Sequence, residues 1–245
     1  MVYCISDLHG CYDEFMALIK KIKFDPSNDA IYILGDVIDR GDKSIDCLKY
    51  IMNTNKIYLL KGNHEQMMLD YYDGIESWSD WDNNGNKLTK KQYKSLDAIE
   101  REKIITYLRS RPYYKTLIIN DNHFFLSHSG LDVSKTFKDQ PKEALIWSRE
   151  EFYDFKALEK YICIFGHTPT FYMHVSADCS IWLDNIHMDK ICIDCGCVYE
   201  GALAALRLDD GEVFYVKSRF GKIAPLFTLN KVKNIGDFLK RETKN

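Results

Sequence analysis

"LLKGNHEQMMLDYY", residues 59–72, runs an apolar pair straight into Gly62, Asn63, His64 and Glu65, and a helix-like apolar pattern then begins. The stretch reads as a strand end, a sharp turn and a helix start. Glycine at such a turn allows a close backbone approach that a Cβ would obstruct. The amide, imidazole and carboxylate that follow are groups able to ligate a cation or carry a proton.

Upstream, the same unit occurs twice. Residues 2–5 (VYCI) and 30–34 (AIYIL) read as strands, and 56–60 (KIYLL) as the third. Between them, residues 11–23 place Phe15, Leu18, Ile19 and Ile22 at the i, i+3, i+4, i+7 spacing of an amphipathic helix, and 43–53 read as another. Alternation of this kind predicts parallel strands joined by right-handed crossovers. Downstream, residues 74–95 are polar and read as a long insertion loop, with Trp78 and Trp81 either bordering a cleft or packing on the body. Residues 97–109 read as a helix stopped by Pro112. Strands follow at 113–119, 123–127, 160–165, 190–194, 202–208 and 212–217, the last two joined by a "DDG" hairpin signal. The expected fold is α/β: one domain over 1–220 with two packed mixed β-sheets flanked by helices, then a tail, 221–245, with a short helix at 233–241.

The chain has 245 residues, 46% hydrophobic and 28% charged, which is ordinary globular composition with material for a large core. A formal net charge of −3 and scattered lysines argue against a nucleic-acid partner. No apolar run approaches the ~18–20 residues of a membrane span. Asp7 interrupts the N-terminus too early for a secretory h-region. The cytoplasm is therefore the expected location. Cys4, Cys163 and Cys192 lie in apolar strand-like runs, where a reduced thiol behaves as a small hydrophobe. "ICIDCGC" has no further Cys or His at zinc-site spacing nearby, and Cys192 and Cys195 would face opposite sides of a strand.

Each early strand ends in a polar turn: Asp7-Leu8-His9-Gly10, then Gly35-Asp36-Val37-Ile38-Asp39-Arg40-Gly41, then Gly62-Asn63-His64-Glu65. In a parallel sheet these turns share the carboxyl edge, where open α/β sheets bind ligands. Later strands add His128 in "FFLSHSG" and His167 in "CIFGHTP". Singly, "GNHE" could be an Asn helix cap and either histidine a structural one. Together, Asp7, His9, Asp36, Asn63, His128 and His167 are a mixed carboxylate, imidazole and amide set that suits Mn, Fe or Zn. Six ligands are too many for one metal with an open position, and suit two metals sharing a carboxylate. Such a pair activates water and clamps an in-line displacement at phosphorus.

"DLHG", "GDVIDRG", "GNHE", "HSG" and "GHTP" resemble the calcineurin-like metallophosphoesterases, and within them the phosphoprotein phosphatase branch with its bacterial and phage Ser/Thr protein phosphatases of the lambda phosphatase type. The resemblance runs from residue 2 to about 217. It implies a four-layer αββα sandwich. It implies one metal on Asp7, His9 and Asp36, and a second on Asp36, Asn63, His128 and His167, with Mn2+ foremost. It implies His64 as general acid paired with Asp39, and phosphate-binding roles for Arg40, Arg149 and Asn63. "WDNNGN" resembles a Trp/Asn/Gly loop of bacterial members, to which no role attaches. Lys61 stands where the family usually has arginine, and lysine lacks the planar fork. "GHTP" lacks the last histidine of the "GHxH" found in nuclease relatives, which favours the phosphatase branch.

The expected activity is therefore hydrolysis of phosphoserine or phosphothreonine in proteins or peptides, by direct in-line attack of a hydroxide bridging two metals. One alternative is a symmetrical diadenosine tetraphosphatase of the same superfamily; Asp39 and Glu65 count against it, since those enzymes typically lack the "DRG" aspartate and carry "GNHD". Another is a catalytically silent, metal-binding module, although every expected position is filled. The third is a redox or zinc role for the cysteines. The sequence leaves the oligomeric state open.

Overall fold

The structure, a computed structural model, describes residues 1–75, 81–173 and 179–220. Trp78 and the expected helix at 233–241 lie outside them.

The opening alternation is realised as β1 (Val2–Ile5), α1 (Tyr12–Lys21), β2 (Ala30–Ile33), α2 (Ser44–Asn53), β3 (Ile57–Leu59) and α3 (Asn63–Tyr72). Next come α4 (Lys87–Lys94), α5 (Ala98–Arg109), β4 (Tyr114–Ile119), β5 (Asn122–Ser127), α6 (Lys142–Trp147) and α7 (Glu150–Tyr153). The chain continues through β6 (Tyr161–Phe165), β7 (Trp182–Leu183), β8 (Lys190–Cys192), β9 (Ala202–Arg207) and β10 (Val213–Lys217).

Two five-stranded sheets result, ordered β10-β9-β1-β2-β3 and β4-β5-β6-β8-β7. In the first, β1, β2 and β3 are parallel and the β9–β10 hairpin is antiparallel. In the second, β5, β6 and β8 are parallel, with antiparallel edges β4 and β7. Both sheets are mixed, as expected.

Period-two alternation sorts the core into layers. Cys4, Phe124, Leu126, Ile162, Ile164, Ala204 and Leu206 pack between the sheets. Ile31 and Ile33 face outward onto Phe15, Leu18 and Leu48 of α1 and α2. Phe125, Cys163, Phe165 and Cys192 face the other way, onto Leu145, Ile146 and Phe152 of α6 and α7. The order is helices, sheet, sheet, helices.

The polar stretch 74–95 departs from its reading as a loop, because Lys87–Lys94 is helical. That helix docks by hydrogen bonds rather than an apolar stripe. Thr89 Oγ1 donates to Ser44 Oγ at 3.0 Å, and Gln92 Oε1 accepts from Ile45 N at 3.1 Å. Hydrophobic periodicity is blind to such a helix. All eight cysteines are free and buried. Cys192, Cys195 and Cys197 belong to three different core layers, so they do not form a common metal site. Among the described residues no helix is long and apolar enough to cross a membrane.

Candidate metal centre and its surroundings

The turns after β1, β2, β3, β5 and β6 converge. Gly62 permits a close approach: a Cβ there would run into Asp36 Oδ1 and the Asp36 amide. Gly166 does the same for the second sheet, bringing its backbone against Ser6 and the Asp7 carboxylate. Asp7, His9, Asp36, Asp39, Arg40 and His167 all have positive φ, between 41° and 76°. Non-glycine residues rarely adopt this region, and such strain clusters where function over-determines the backbone.

Glu65 holds two of the turns together. Its carboxylate accepts from Gly62 N at 2.9 Å, Asp36 N at 2.8 Å, Val37 N at 2.8 Å and Ile38 N at 3.4 Å. Glu65 thus fastens its own turn and the neighbouring one.

Two groups of lone pairs meet at Asp36. In one, His128 Nε2 lies 3.3 Å from Asp36 Oδ2, 2.9 Å from Asn63 Oδ1 and 3.1 Å from His167 Nδ1. His167 Nδ1 is also 3.1 Å from Asn63 Oδ1. The other ring nitrogen of His128 faces Leu34 O at 2.8 Å, so Nδ1 carries the proton and Nε2 is left as an acceptor. In the second group, His9 Nε2 and His64 Nε2 lie 3.6 Å and 3.8 Å from Asp36 Oδ2. His9 Nδ1 is fixed the same way, by Ile38 O at 2.8 Å. Backbone carbonyls thus orient both imidazoles, as is usual behind metal-ligating histidines.

These residues fit a pair of cations. Asp36 joins both candidate groups, His9–Asp36–His64 and Asp36–His128–His167, each within 4.8 Å. The side chains are buried, and among the described residues His64 Nε2 and His167 Nε2 have no hydrogen-bond partner. Lone pairs converging in a low-dielectric interior are costly unless a positive charge, a proton on His128 or a cation, joins them.

One expected ligand sits differently. Asp7 lies in neither group; its carboxylate accepts from Ser6 Oγ and from His167 N at 3.0 Å. Burial and then the neighbouring Asp36 charge bear on it: against the pull of His128, its pKa rises to about 6. Asp36 behaves oppositely, because His128 and His64 overcome its burial and hold it well below the carboxylate range. Burial pulls His128 down, but the Asp36 carboxylate more than offsets that and lifts it to about 9. Burial keeps His167 low, aided by His128, and His9 low, aided by the Arg40 guanidinium.

Beside the ligand groups stands the His64–Asp39 pair, Nδ1 to Oδ2 at 2.7 Å and fully buried. Trp81 Nε1 donates to the same carboxylate oxygen at 2.6 Å. Trp81 therefore packs on the body, with Tyr71 at 5.3 Å, and also braces the pair. Ser44 Oγ and Thr89 Oγ1 each accept from Asp39 N at 3.0 Å. None of these three residues was singled out for this role from the sequence. The only signal was "WDNNGN", whose Gly85 carbonyl accepts from Arg40 N at 2.9 Å.

Arg40 reaches His9 Nε2 and lies over the Tyr199 ring at 5.4 Å. Arg149 donates to Thr168 Oγ1 at 2.7 Å, next to His167. One guanidinium thus attends each ligand group. Lys61 is turned away, with its ammonium 4.2 Å over the Tyr113 ring.

Residues 1–199 match the family model of the calcineurin-like phosphoesterases. A symmetrical bis(5'-nucleosyl)-tetraphosphatase from Salmonella paratyphi C is 31% identical over 130 residues, which is 53% of this chain and 43% of that protein. The Klebsiella pneumoniae enzyme of the same name is 30% identical over the same length and shares. The match therefore spans less than half of the curated relatives. Among solved structures, one with a provisional diadenosine tetraphosphatase assignment has a TM-score of 0.68 at 18% identity, covering 90% of this chain and 94% of that one. A protein serine/threonine phosphatase from Saccharomyces cerevisiae has a TM-score of 0.60 at 17% identity, covering 91% and 81%. At these identities the structural likeness speaks to the fold.

Proposed function

The chain belongs to the calcineurin-like phosphoesterase family, and from that premise we propose that it splits a dinucleoside tetraphosphate symmetrically into two nucleoside diphosphates. The observation that carries the substrate is the 31% identity to a symmetrical bis(5'-nucleosyl)-tetraphosphatase. The geometry agrees, since one arginine stands at each ligand group and a four-phosphate bridge cut at its middle presents anionic oxygens on both sides. Asp39 and Glu65, which count against this reading in the sequence, do not carry that weight. Glu65 is engaged by backbone amides and Asp39 by His64 and Trp81, so neither inspects the substrate.

Asp7, His9, Asp36, Asn63, His128 and His167 would hold two divalent cations, which supply Lewis acidity and a water acidified to react near neutral pH. Arg40 and Arg149 bind the phosphoryl oxygens, where charge accumulates. His64 delivers a proton from Nε2 to the departing oxygen. Asp39 fixes that ring through Nδ1 and balances its protonated charge. Eight free thiols suit a reducing compartment, and we place the protein in the cytoplasm.

Phosphoserine or phosphothreonine hydrolysis is the second reading. The buried His64–Asp39 pair favours it, because an alkoxide needs a proton donor more than a nucleoside diphosphate does. Manganese-supplemented hydrolysis of diadenosine tetraphosphate and of a phosphoserine peptide by one preparation separates the two. A higher kcat/KM for the dinucleotide is expected; a higher value for the peptide reverses the assignment.

A further inference from the structure

The phosphate-binding side chains are flanked by aromatic rings that the chemistry does not use. Trp147 ends α6, is 41% exposed and stands edge-on to His167 at 5.7 Å. Two residues later comes Arg149. On the other side Tyr199 is 44% exposed, beneath Arg40 and 6.4 Å from Phe171. The fold buries Trp81 completely but leaves Trp147 and Tyr199 open to water beside charged groups.

Trp147 also lines a cavity of about 470 Å³, within the usual range of small-molecule sites. Its walls include Asp132, Glu143 and Glu151. Those carboxylates repel phosphate but accept hydrogen bonds from ribose hydroxyls and exocyclic amino groups. The cavity therefore suits the uncharged end of a nucleotide whose phosphates lie toward Arg149.

On the reading that the substrate is a dinucleoside tetraphosphate, we propose that Trp147 and Tyr199 are stacking platforms for its two bases, one on each side of the scissile centre. A linear substrate with a base at each end and its cleaved bond in the middle needs two such platforms, each beyond a phosphate-binding arginine. The Trp147 side, with its walled cavity, holds its nucleoside more tightly than the open Tyr199 side.

The test compares kcat/KM for diadenosine tetraphosphate with that for inorganic tetraphosphate, which has no base. In Trp147→Ala this ratio falls roughly tenfold, as expected for loss of base stacking, mainly through KM. Tyr199→Ala lowers it less, and Trp147→Phe and Tyr199→Phe restore it. If the parent protein cleaves the dinucleotide and neither alanine variant moves the ratio, the platforms are wrong and the functional reading stands. If the parent leaves the dinucleotide intact and dephosphorylates the peptide, the reading and the platforms fall together.

Discussion

At the amino end of β8, Lys190 is wholly buried with its ammonium 2.7 Å from each of Asp184 Oδ2, Asp189 Oδ1 and Phe155 O. At the carboxyl ends of the neighbouring parallel strands β5 and β6, His128 and His167 point acceptor nitrogens at one another and at Asp36 and Asn63. Both clusters are buried and charged, and both sit at ends of strands of one sheet. In the first, a cation from the chain itself joins the oxygens. In the second, lone pairs of carboxylate, amide and imidazole face one another, and what joins them, a proton on His128 or a cation, must come from outside. Internal completeness, rather than burial or charge, separates a structural ion cluster from a ligand-seeking one.

Four substitutions press on that contrast. Asp36→Asn removes the carboxylate common to both ligand groups. Turnover should fall on the order of 10³-fold or more, since several kcal/mol of metal-derived charge stabilisation goes with it. Metal content per chain, measured on the purified variant, should fall too. A variant that keeps its metal would remove Asp36 from the bridging role. Lys190→Met does the reverse. It strands two buried carboxylates and should cost about 3–5 kcal/mol in denaturant unfolding. Metal content and turnover per folded molecule should hold, and a loss of metal there would erase the distinction between the clusters.

His64→Asn probes the edge of the ligand-seeking cluster. A loss of ~10²–10⁴ in kcat is expected on a phosphoserine peptide, whose leaving group needs the proton. The loss on diadenosine tetraphosphate should be smaller; equal losses on both would take His64 out of the proton-donor role. The smallest effect belongs to Asp194, which is buried and accepts from Gly196 N at 2.9 Å. Burial, then the Asp7 charge, raises its carboxyl well above the usual range. A raised folded pKa in an acid means stability that is full below the unfolded value and lost as pH rises toward the folded one. Asp194→Asn should therefore melt higher than the parent at neutral pH and at the same temperature near pH 3. A pH-independent difference between the two would contradict this.

The convergence of these turns was legible because each closes an apolar strand run and carries its own glycine or aspartate. Asp7, Asp36, Asn63, His128 and His167 meet for that reason alone. The sheets were legible from period-two runs, apart from β7, whose two residues are too few to show a period. What supports Asp39 was not. Trp81, Ser44 and Thr89 reach it from segments that look polar or solvated, and their contacts are single hydrogen bonds. The helices α6 and α7 are short pieces with too few turns to display a stripe. The two acids that weigh on substrate choice in the sequence show a related limit. Asp39 and Glu65 looked diagnostic as letters, but their side chains face the protein rather than a ligand.

The Glu65 clasp has a consequence for anyone rebuilding this scaffold. One side chain collects amides from the β2 and β3 turns at once, so neither turn can gain or lose a residue alone without unhooking the other. Loop grafts and affinity-tag insertions belong instead at the far rim, at Thr54–Asn55, just before Lys56, whose carbonyl pairs with Ile31 N.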